Sequence, residues 1–200
     1  MENDSTSLPD HLSDGPTFDE TEFLFDDFDI HEVAAVHDAV ARLISSLDFY
    51  AHPDATRYFI LGNYDEPQKR RLRSTANMLE RYNPCSTAVL LEDLDPTDDY
   101  WENFYLKFRY TLTITDYVVL VAEDNDGGHE LEFGEVPLEN TYVVKRNYTS
   151  ASIGEDLERE KYDAMMAKLC NLMDRNNRLF EWTSAESFVE AVKSVASKTR

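Results

Sequence analysis

The chain has 200 residues, and its 40 acidic against 19 basic side chains give it a formal net charge of −21. A field of this sign repels nucleic acid and anionic membrane surfaces, so neither is expected as a partner. Dispersed acids with scarce lysine are typical of proteins from a high-salt cytoplasm, and we predict a halophilic, cytoplasmic protein. A mesophilic protein with an acidic partner-binding surface is the alternative. No apolar run approaches the ~18 residues of a membrane span, and no secretory signal pattern is visible.

The amino-terminal part of the chain has two expected segments. Residues 1–30 carry ten acids and no Lys or Arg, which predicts a largely disordered tail whose apolar residues 23–28 can dock on the domain. From residue 31 to 50, apolar side chains recur at helical spacing, which predicts an amphipathic helix. These side chains are Val33, Val36, Val40, Leu43, Ile44 and Leu47.

Residues 57–200 alternate between short apolar runs and amphipathic segments, the pattern of βαβ units. We predict strands at residues 58–61, 87–91, 117–122, 141–145 and 178–182, with helices between them and after the last. The fold class is therefore α/β, a flavodoxin-like three-layer sandwich. Its mainly parallel five-stranded sheet has the order 2-1-3-4-5, with helices on both faces.

The stretch from Asp116 to Gly134 is the strongest candidate for a site. A buried valine-rich strand ends in an acidic turn containing Gly127 and Gly128, and carboxylates follow it. The predicted switch point brings this turn next to the turn at Gly62. Glu132 is a candidate nucleophile for an anomeric carbon, and Asp126 can orient or protonate a leaving base. The alternative is that these acids are solvated side chains of an acid-rich protein.

The segment from Asp126 to Val136, Asp-Gly-Gly-His-Glu-Leu-Glu-Phe-Gly-Glu-Val, resembles the active-site segment of nucleoside 2-deoxyribosyltransferases. The resemblance implies Glu132 as nucleophile and Asp126 as the substrate-orienting acid. It also implies that Gly127, Gly128 and His129 contact substrate.

Residues 57–64, Arg-Tyr-Phe-Ile-Leu-Gly-Asn-Tyr, resemble the first strand and Gly turn of that family. The resemblance places Tyr58 or Tyr64 at the wall that binds the ring, with Gly62 and Asn63 in the turn. It implies a nucleoside or nucleotide as ligand, an N-glycosidase, deoxyribosyltransferase or NADase type of activity, and a chain that can form a homo-oligomer. The chain order also resembles that of TIR-like domains, which cleave NAD with a glutamate.

Three departures from the family pattern favour a rival interpretation. The stretch 106–110 lacks the family's further carboxylate, His129 replaces a small residue, and Pro137 shortens the helix after Glu132. The rival is a non-catalytic ligand-sensing or protein-interaction domain. A structural acidic domain whose tail binds a partner is a third hypothesis.

Four cations stand together in a chain short of them: Lys69, Arg70, Arg71 and Arg73. They lie in the first turns of a predicted helix, where a phosphate is favoured, and Lys69 and Arg70 are the candidates for it. Pairing with neighbouring acids on a solvated face is the alternative. The histidines and the cysteines, Cys85 and Cys170, lack metal-ligand spacing, so we expect no metal and no cofactor. We expect two buried thiols in preference to a disulfide.

Overall fold

The computed structural model describes residue 38, residues 54–93, 104–123 and 135–148, residue 162 and residues 164–200. The predicted tail, its docking segment 23–28 and the helix over 31–50 lie outside these ranges, apart from Asp38, which is helical and exposed. In the described ranges the strands are Thr56–Gly62 (β1), Ser86–Leu90 (β2), Tyr117–Ala122 (β3), Thr141–Arg146 (β4) and Leu179–Trp182 (β5). The helices are Gln68–Tyr82 (α1), Phe104–Ile114 (α2), Ala164–Arg175 (α3) and Ala185–Lys198 (α4), with short 3₁₀ turns at Leu91–Asp93 and Leu138–Asn140.

The five described strands form one sheet in the order β2-β1-β3-β4-β5, and every neighbouring pair is parallel. The predicted flavodoxin-like α/β fold and strand order are therefore confirmed. β1 lies between β2 and β3: its Ile60 pairs with Leu90 of β2 on one side and with Val119 of β3 on the other. The order reverses between β1 and β3, where crevices form in sheets of this kind.

Each face of the sheet has its own apolar core because successive strand residues point to opposite faces. Phe59 and Leu61 of β1 pack with residues of α2 and α3 on one face. Tyr58 and Ile60 pack with residues of α1 and α4 on the other. Burial on both faces explains why β3 is a continuous apolar run. The three layers of the predicted sandwich are present.

Helical spacing in the sequence predicts Tyr105 and Leu172 at core positions, and both predictions are wrong. Tyr105 is 47% exposed on α2, and Leu172 is 42% exposed on α3. On α3 the buried stripe consists of Met166, Cys170 and Met173, which are four and three residues apart. Leu172 precedes Met173 and lies about 100° away around the helix, so it is exposed beside the stripe.

Local chemistry fixes the start of the last helix. The Ser184 hydroxyl accepts a hydrogen bond from the Ser187 amide at 3.3 Å, and the Ser187 hydroxyl accepts one from the Ser184 amide at 2.9 Å. This reciprocal pair satisfies two amides at the start of α4. None of the described helices is long and apolar enough to cross a membrane.

Because the strands are parallel, their carboxyl ends share one edge of the sheet. We call this the carboxyl edge; it contains the ends of β1 to β5 at Gly62, Leu90, Ala122, Arg146 and Trp182. The opposite, amino edge contains the strand starts. The side chains that follow the strands at the carboxyl edge are those best placed to form a site in an α/β sheet.

Candidate functional site

Two arginines share one buried carboxylate at the carboxyl edge. The Glu123 side chain is 2% exposed, and its Oε1 accepts a short hydrogen bond from Nε of Arg71. Its Oε2 lies 3.3 Å from a terminal nitrogen of Arg146. The Arg146 guanidinium lies 5.1 Å from the ring centre of Trp182, and that of Arg71 lies 5.9 Å from it. We call these four residues the arginine cluster.

Four elements of the fold bring the arginine cluster together. Arg71 is in the first turn of α1, and Glu123 directly follows β3. Arg146 and Trp182 end β4 and β5 and are register partners. Each residue thus stands at or just beyond the carboxyl end of a strand, or at the start of the helix that follows one. These four residues are therefore brought into contact by the parallel strand order and by the helix that follows β1.

Two tyrosines brace the chain next to the cluster. The Tyr148 hydroxyl donates a hydrogen bond to the Glu123 carbonyl oxygen at 2.7 Å. The Tyr162 hydroxyl lies 2.9 Å from the Ala122 carbonyl oxygen and 3.0 Å from that of Arg146. The Tyr148 ring also lies 4.8 Å from the Arg146 guanidinium. The two tyrosine hydroxyls therefore link the backbone at the carboxyl ends of β3 and β4, next to the cluster.

Three of the predicted ligand-binding residues lie at the carboxyl edge in structural roles. Gly62 has a φ of 153°, and a Cβ there would lie 2.6 Å from Leu72 and 2.8 Å from the Val121 carbonyl oxygen. Asn63 is buried, and its side-chain oxygen accepts a hydrogen bond from the Asp65 amide at 2.7 Å. The Tyr64 hydroxyl accepts one from the Leu91 amide at 3.0 Å. These contacts close the β1 turn against β2 and β3.

The remaining predicted wall residue, Tyr58, lies elsewhere. It is fully buried near the amino end of β1, and its hydroxyl forms a short hydrogen bond with the Thr199 hydroxyl. Nδ2 of Asn83 donates to the same oxygen at 3.2 Å. The structure therefore places Tyr58 in the core, away from the crevice.

The predicted catalytic segment follows Glu123 in the chain. Asp126, Gly127, Gly128, His129 and Glu132 lie outside the described residues. Glu123, the last described residue before them, is bound by two arginines. A carboxylate so paired is held as a structural anion and is a poor nucleophile.

Residues 22–178, more than half of the chain, match a family of unknown function, DUF8170. The chain belongs to the DUF8170 family. A search of curated proteins gave no match. The arginine cluster, from Arg71 to Arg146, lies within the matched residues, and Trp182 lies just beyond them.

Two solved structures resemble this DUF8170 chain. A conserved protein from Enterococcus faecalis V583 matches with a TM-score of 0.52 and 16% identity over 70% of this chain and 99% of its own. At that identity the likeness shows the fold alone. A prokaryotic SEFIR domain matches with a TM-score of 0.39 and 10% identity over 60% of this chain and 91% of its own. That score is too low to support an inference.

The predicted phosphate residues of the DUF8170 chain are engaged in ion pairs. Lys69 lies 2.5 Å from Glu92, and Arg70 lies 2.9 Å from Glu66. Arg73 pairs with Glu92 at 2.6 Å and with Asp93. These contacts agree with the alternative that the cations neutralise neighbouring acids. Burial alone would raise the pKa of Glu92, but hydrogen bonds and charges from Lys69 and Arg73 lower it below its ordinary value.

The residues that sequence reasoning missed are those at the ends of β4 and β5. Arg146 directly follows the predicted strand 141–145, and Trp182 ends the predicted strand 178–182; a basic and an aromatic residue at the carboxyl ends of parallel strands are a usable signal. Arg71 was one of four adjacent cations, and nothing in that run distinguishes it. Among the described residues, no group of His, Cys, Asp and Glu is placed to hold a metal ion. Both cysteines are free thiols; Cys170 is buried as expected, but Cys85 is exposed, so the prediction that both are buried is wrong.

Proposed function

We propose that this domain binds a nucleoside or nucleotide in the crevice at the carboxyl edge of its sheet. One observation supports this above the others: two arginines and a tryptophan from three elements meet around the buried Glu123 carboxylate at the end of β3. Crevices at switch points are where ligands bind in sheets of this order. Arginine and aromatic groups suit the phosphates and bases of nucleotides.

The chemistry of the cluster argues for binding more directly than for catalysis. Glu123 is neutralised by Arg71 and Arg146, so it is not available to attack an anomeric carbon. If the domain cleaves or exchanges an N-glycosidic bond, Glu132 is the proposed nucleophile and Asp126 the assisting acid. Their place in the sequence supports this, because the segment that contains them leaves β3 at the carboxyl edge.

The rival is a non-catalytic ligand-sensing domain on the same fold. The acids that the structure describes at this edge favour it, because Glu92 and Asp93 are engaged by Lys69 and Arg73 just as Glu123 is by its arginines. On this hypothesis the domain binds its ligand without reacting with it, and binding itself is the function. The two hypotheses differ in whether a bond breaks.

A binding and turnover assay separates them. The full chain, in molar potassium chloride, is titrated with nucleosides, nucleotides and NAD while Trp fluorescence and free base are measured. We expect saturable binding of at least one compound. Base release that Glu132→Gln abolishes and the matched control Glu130→Gln preserves would establish the glycosidic enzyme. Binding without release would establish the sensor. If no compound binds, the proposed function is wrong.

A further inference from the structure

We propose that Arg71 and Arg146 form a phosphate-binding site, so that the ligand is a nucleoside phosphate in preference to a nucleoside. The inference rests on the proposed function and narrows its ligand class. It also assigns the phosphate to Arg71 and Arg146 in place of Lys69 and Arg70, which are paired with Glu92 and Glu66.

The charge balance of the cluster is the first argument. Two guanidinium groups share one carboxylate, which leaves a formal charge of +1 in a chain of −21. Among the described residues, Glu123 is the one acid that either arginine contacts. A single carboxylate cannot neutralise two arginines, so the cluster is suited to accept a second anion.

Exposure shows where that anion would enter. The Glu123 side chain is 2% exposed, whereas those of Arg71 and Arg146 are 24% and 36% exposed. The carboxylate therefore lies beneath the two guanidinium groups and occupies their inner side. Each guanidinium has five N–H donors, and each gives one nitrogen to Glu123. The remaining donors are the ones available to a ligand on the open side.

The arginines are also held in place before a ligand arrives. The Arg146 guanidinium lies 4.8 Å from the Tyr148 ring and 5.1 Å from the Trp182 ring. Arg71 lies 5.9 Å from the same indole. Packing against rings, together with Glu123, restricts both side chains, and preorganised donors lose less entropy when they bind.

An unpaired donor lies in the same place. Trp182 is 6% exposed, and its buried Nε1–H has no hydrogen-bond acceptor among the described residues. Buried N–H groups without a partner are uncommon in folded proteins. A ligand oxygen seated beside the two guanidinium groups would be a suitable acceptor for it. Both arginines lie against this indole, so the unpaired donor belongs to the same cluster as the two guanidinium groups.

A phosphate fits this set better than a carboxylate does. It carries between one and two negative charges near neutral pH and offers oxygens in several directions, whereas a carboxylate presents two oxygens in one plane. Arg71 also lies in the first turn of α1, where the backbone dipole favours an anion. In molar salt the long-range repulsion from the acidic chain is screened within about 3 Å, and direct contacts remain.

The test compares matched ligand pairs on the full chain. Calorimetric titration in 1 M potassium chloride is carried out with adenosine and AMP, with uridine and UMP, and with inorganic pyrophosphate. We expect each nucleotide to bind at least about tenfold more tightly than its nucleoside. Arg146→Gln should remove that advantage, Arg146→Lys should keep part of it, and Arg81→Gln, an exposed control on α1, should keep all of it.

The outcomes separate this inference from the function on which it rests. Equal affinity for nucleosides and nucleotides in the wild type would overturn the phosphate site and leave nucleoside binding intact. Arg146-dependent binding of pyrophosphate, with no binding of any nucleoside or nucleotide, would support the phosphate site and overturn the proposed function. No binding of any of the five compounds would overturn both. Thermal melting of each variant shows whether a loss of affinity reflects unfolding.

Discussion

The two edges of the sheet bury polar groups in different ways. At the amino edge the Tyr58 hydroxyl is hydrogen-bonded to Thr199 and Asn83, and the Arg57 amide donates to Asp116 at 2.8 Å. At the carboxyl edge one buried carboxylate, Glu123, faces two arginines. At the amino edge each of these donors has an acceptor, and charges of opposite sign are paired one to one. Among the described residues, the arginine cluster at the carboxyl edge has one more positive charge than negative.

The aromatic groups show the same contrast. The rings of Tyr58, Tyr117, Tyr142 and Phe180 form a row towards the amino edge, with neighbouring centres 6.1, 5.9 and 6.4 Å apart. Trp182, at the carboxyl edge, lies against two guanidinium groups and keeps an unpaired N–H. An open depression of about 400 Å³ next to the amino edge, at residues 113–117 and Asn140, does not contain such a cluster. Satisfied groups stabilise a fold, whereas uncompensated ones cost stability and are typical of sites.

The largest expected effect comes from breaking the charge arrangement at the carboxyl edge. Glu123→Gln removes the buried counter-charge that two partly exposed arginines share. We expect the free energy of unfolding to fall by about 3 kcal/mol, measured by urea denaturation. Glu181→Gln is the control: it breaks an exposed pair with Lys145 at 3.1 Å and should cost less than about 1 kcal/mol. Equal losses in the two variants would mean that Glu123 has no special role.

The next effect tests whether the turn at the carboxyl edge is fixed by packing. Gly62→Ala places a methyl group against the Val121 carbonyl oxygen at a residue with positive φ. We expect a loss of about 2 kcal/mol in the free energy of unfolding, from strain and contact together. Asn177→Ala is a control at an exposed residue with φ 55°: it replaces a side chain that tolerates positive φ and adds no Cβ, and it should cost about 1 kcal/mol. Equal losses in the two variants would show that the positive φ, and not the contact with Val121, is what excludes a side chain at residue 62.

At the amino edge a smaller effect is expected. Tyr58→Phe removes the hydroxyl that bonds Thr199 and Asn83, and its loss should lower the free energy of unfolding by about 1 kcal/mol. Tyr117→Phe, in the same row of rings, removes a hydroxyl that has no hydrogen-bond partner among the described residues, and we expect a change below about 0.5 kcal/mol. A cost for Tyr58→Phe as large as that for Glu123→Gln would remove the contrast between the edges.

The positions and order of the strands could be predicted from the sequence, whereas the contacts of the arginine cluster could not. Alternating apolar runs and amphipathic segments were enough for the strand order, and β3 was placed at the same residues, Tyr117–Ala122, because a run buried on both faces has clear ends. The turn at Gly62 was correctly placed at the carboxyl end of β1. These features depend on local periodicity, which the sequence contains directly.

The contacts of the site depend on pairings that no local pattern contains. Arg71 and Glu123 are 52 residues apart, and Arg146 and Glu123 are 23 apart. Of the four cations between residues 69 and 73, Arg71 reaches Glu123, while Lys69 and Arg73 pair with Glu92. That choice depends on where each side chain lies around α1 relative to β2 and β3. The proposed catalytic pair, Asp126 and Glu132, stays a prediction from the sequence.

The smallest expected effect concerns Glu92, the acid that engages Lys69 and Arg73. Its pKa is lower in the folded protein than the ordinary value of 4.5. A lowered folded pKa contributes stability that is fully present above the ordinary value and is lost as the pH falls through the folded one. The difference in unfolding free energy between the wild type and Glu92→Gln should therefore be constant from pH 7 to about 5 and shrink below it. We expect less than about 1 kcal/mol, because these side chains are partly exposed.

The matched control for this pH series is Glu139→Gln, which changes an exposed acid on the 3₁₀ turn Leu138–Asn140. Its difference from the wild type should stay flat over the same range. Urea denaturation at each pH, in low and in molar salt, gives both curves, and salt should reduce the Glu92 difference because it screens exposed pairs. A Glu92 difference that persists below pH 3 would mean that the side chain contributes through packing. In that case the Glu92 ion pairs would add nothing measurable to stability, and the contrast between the two edges would depend on the arginine cluster.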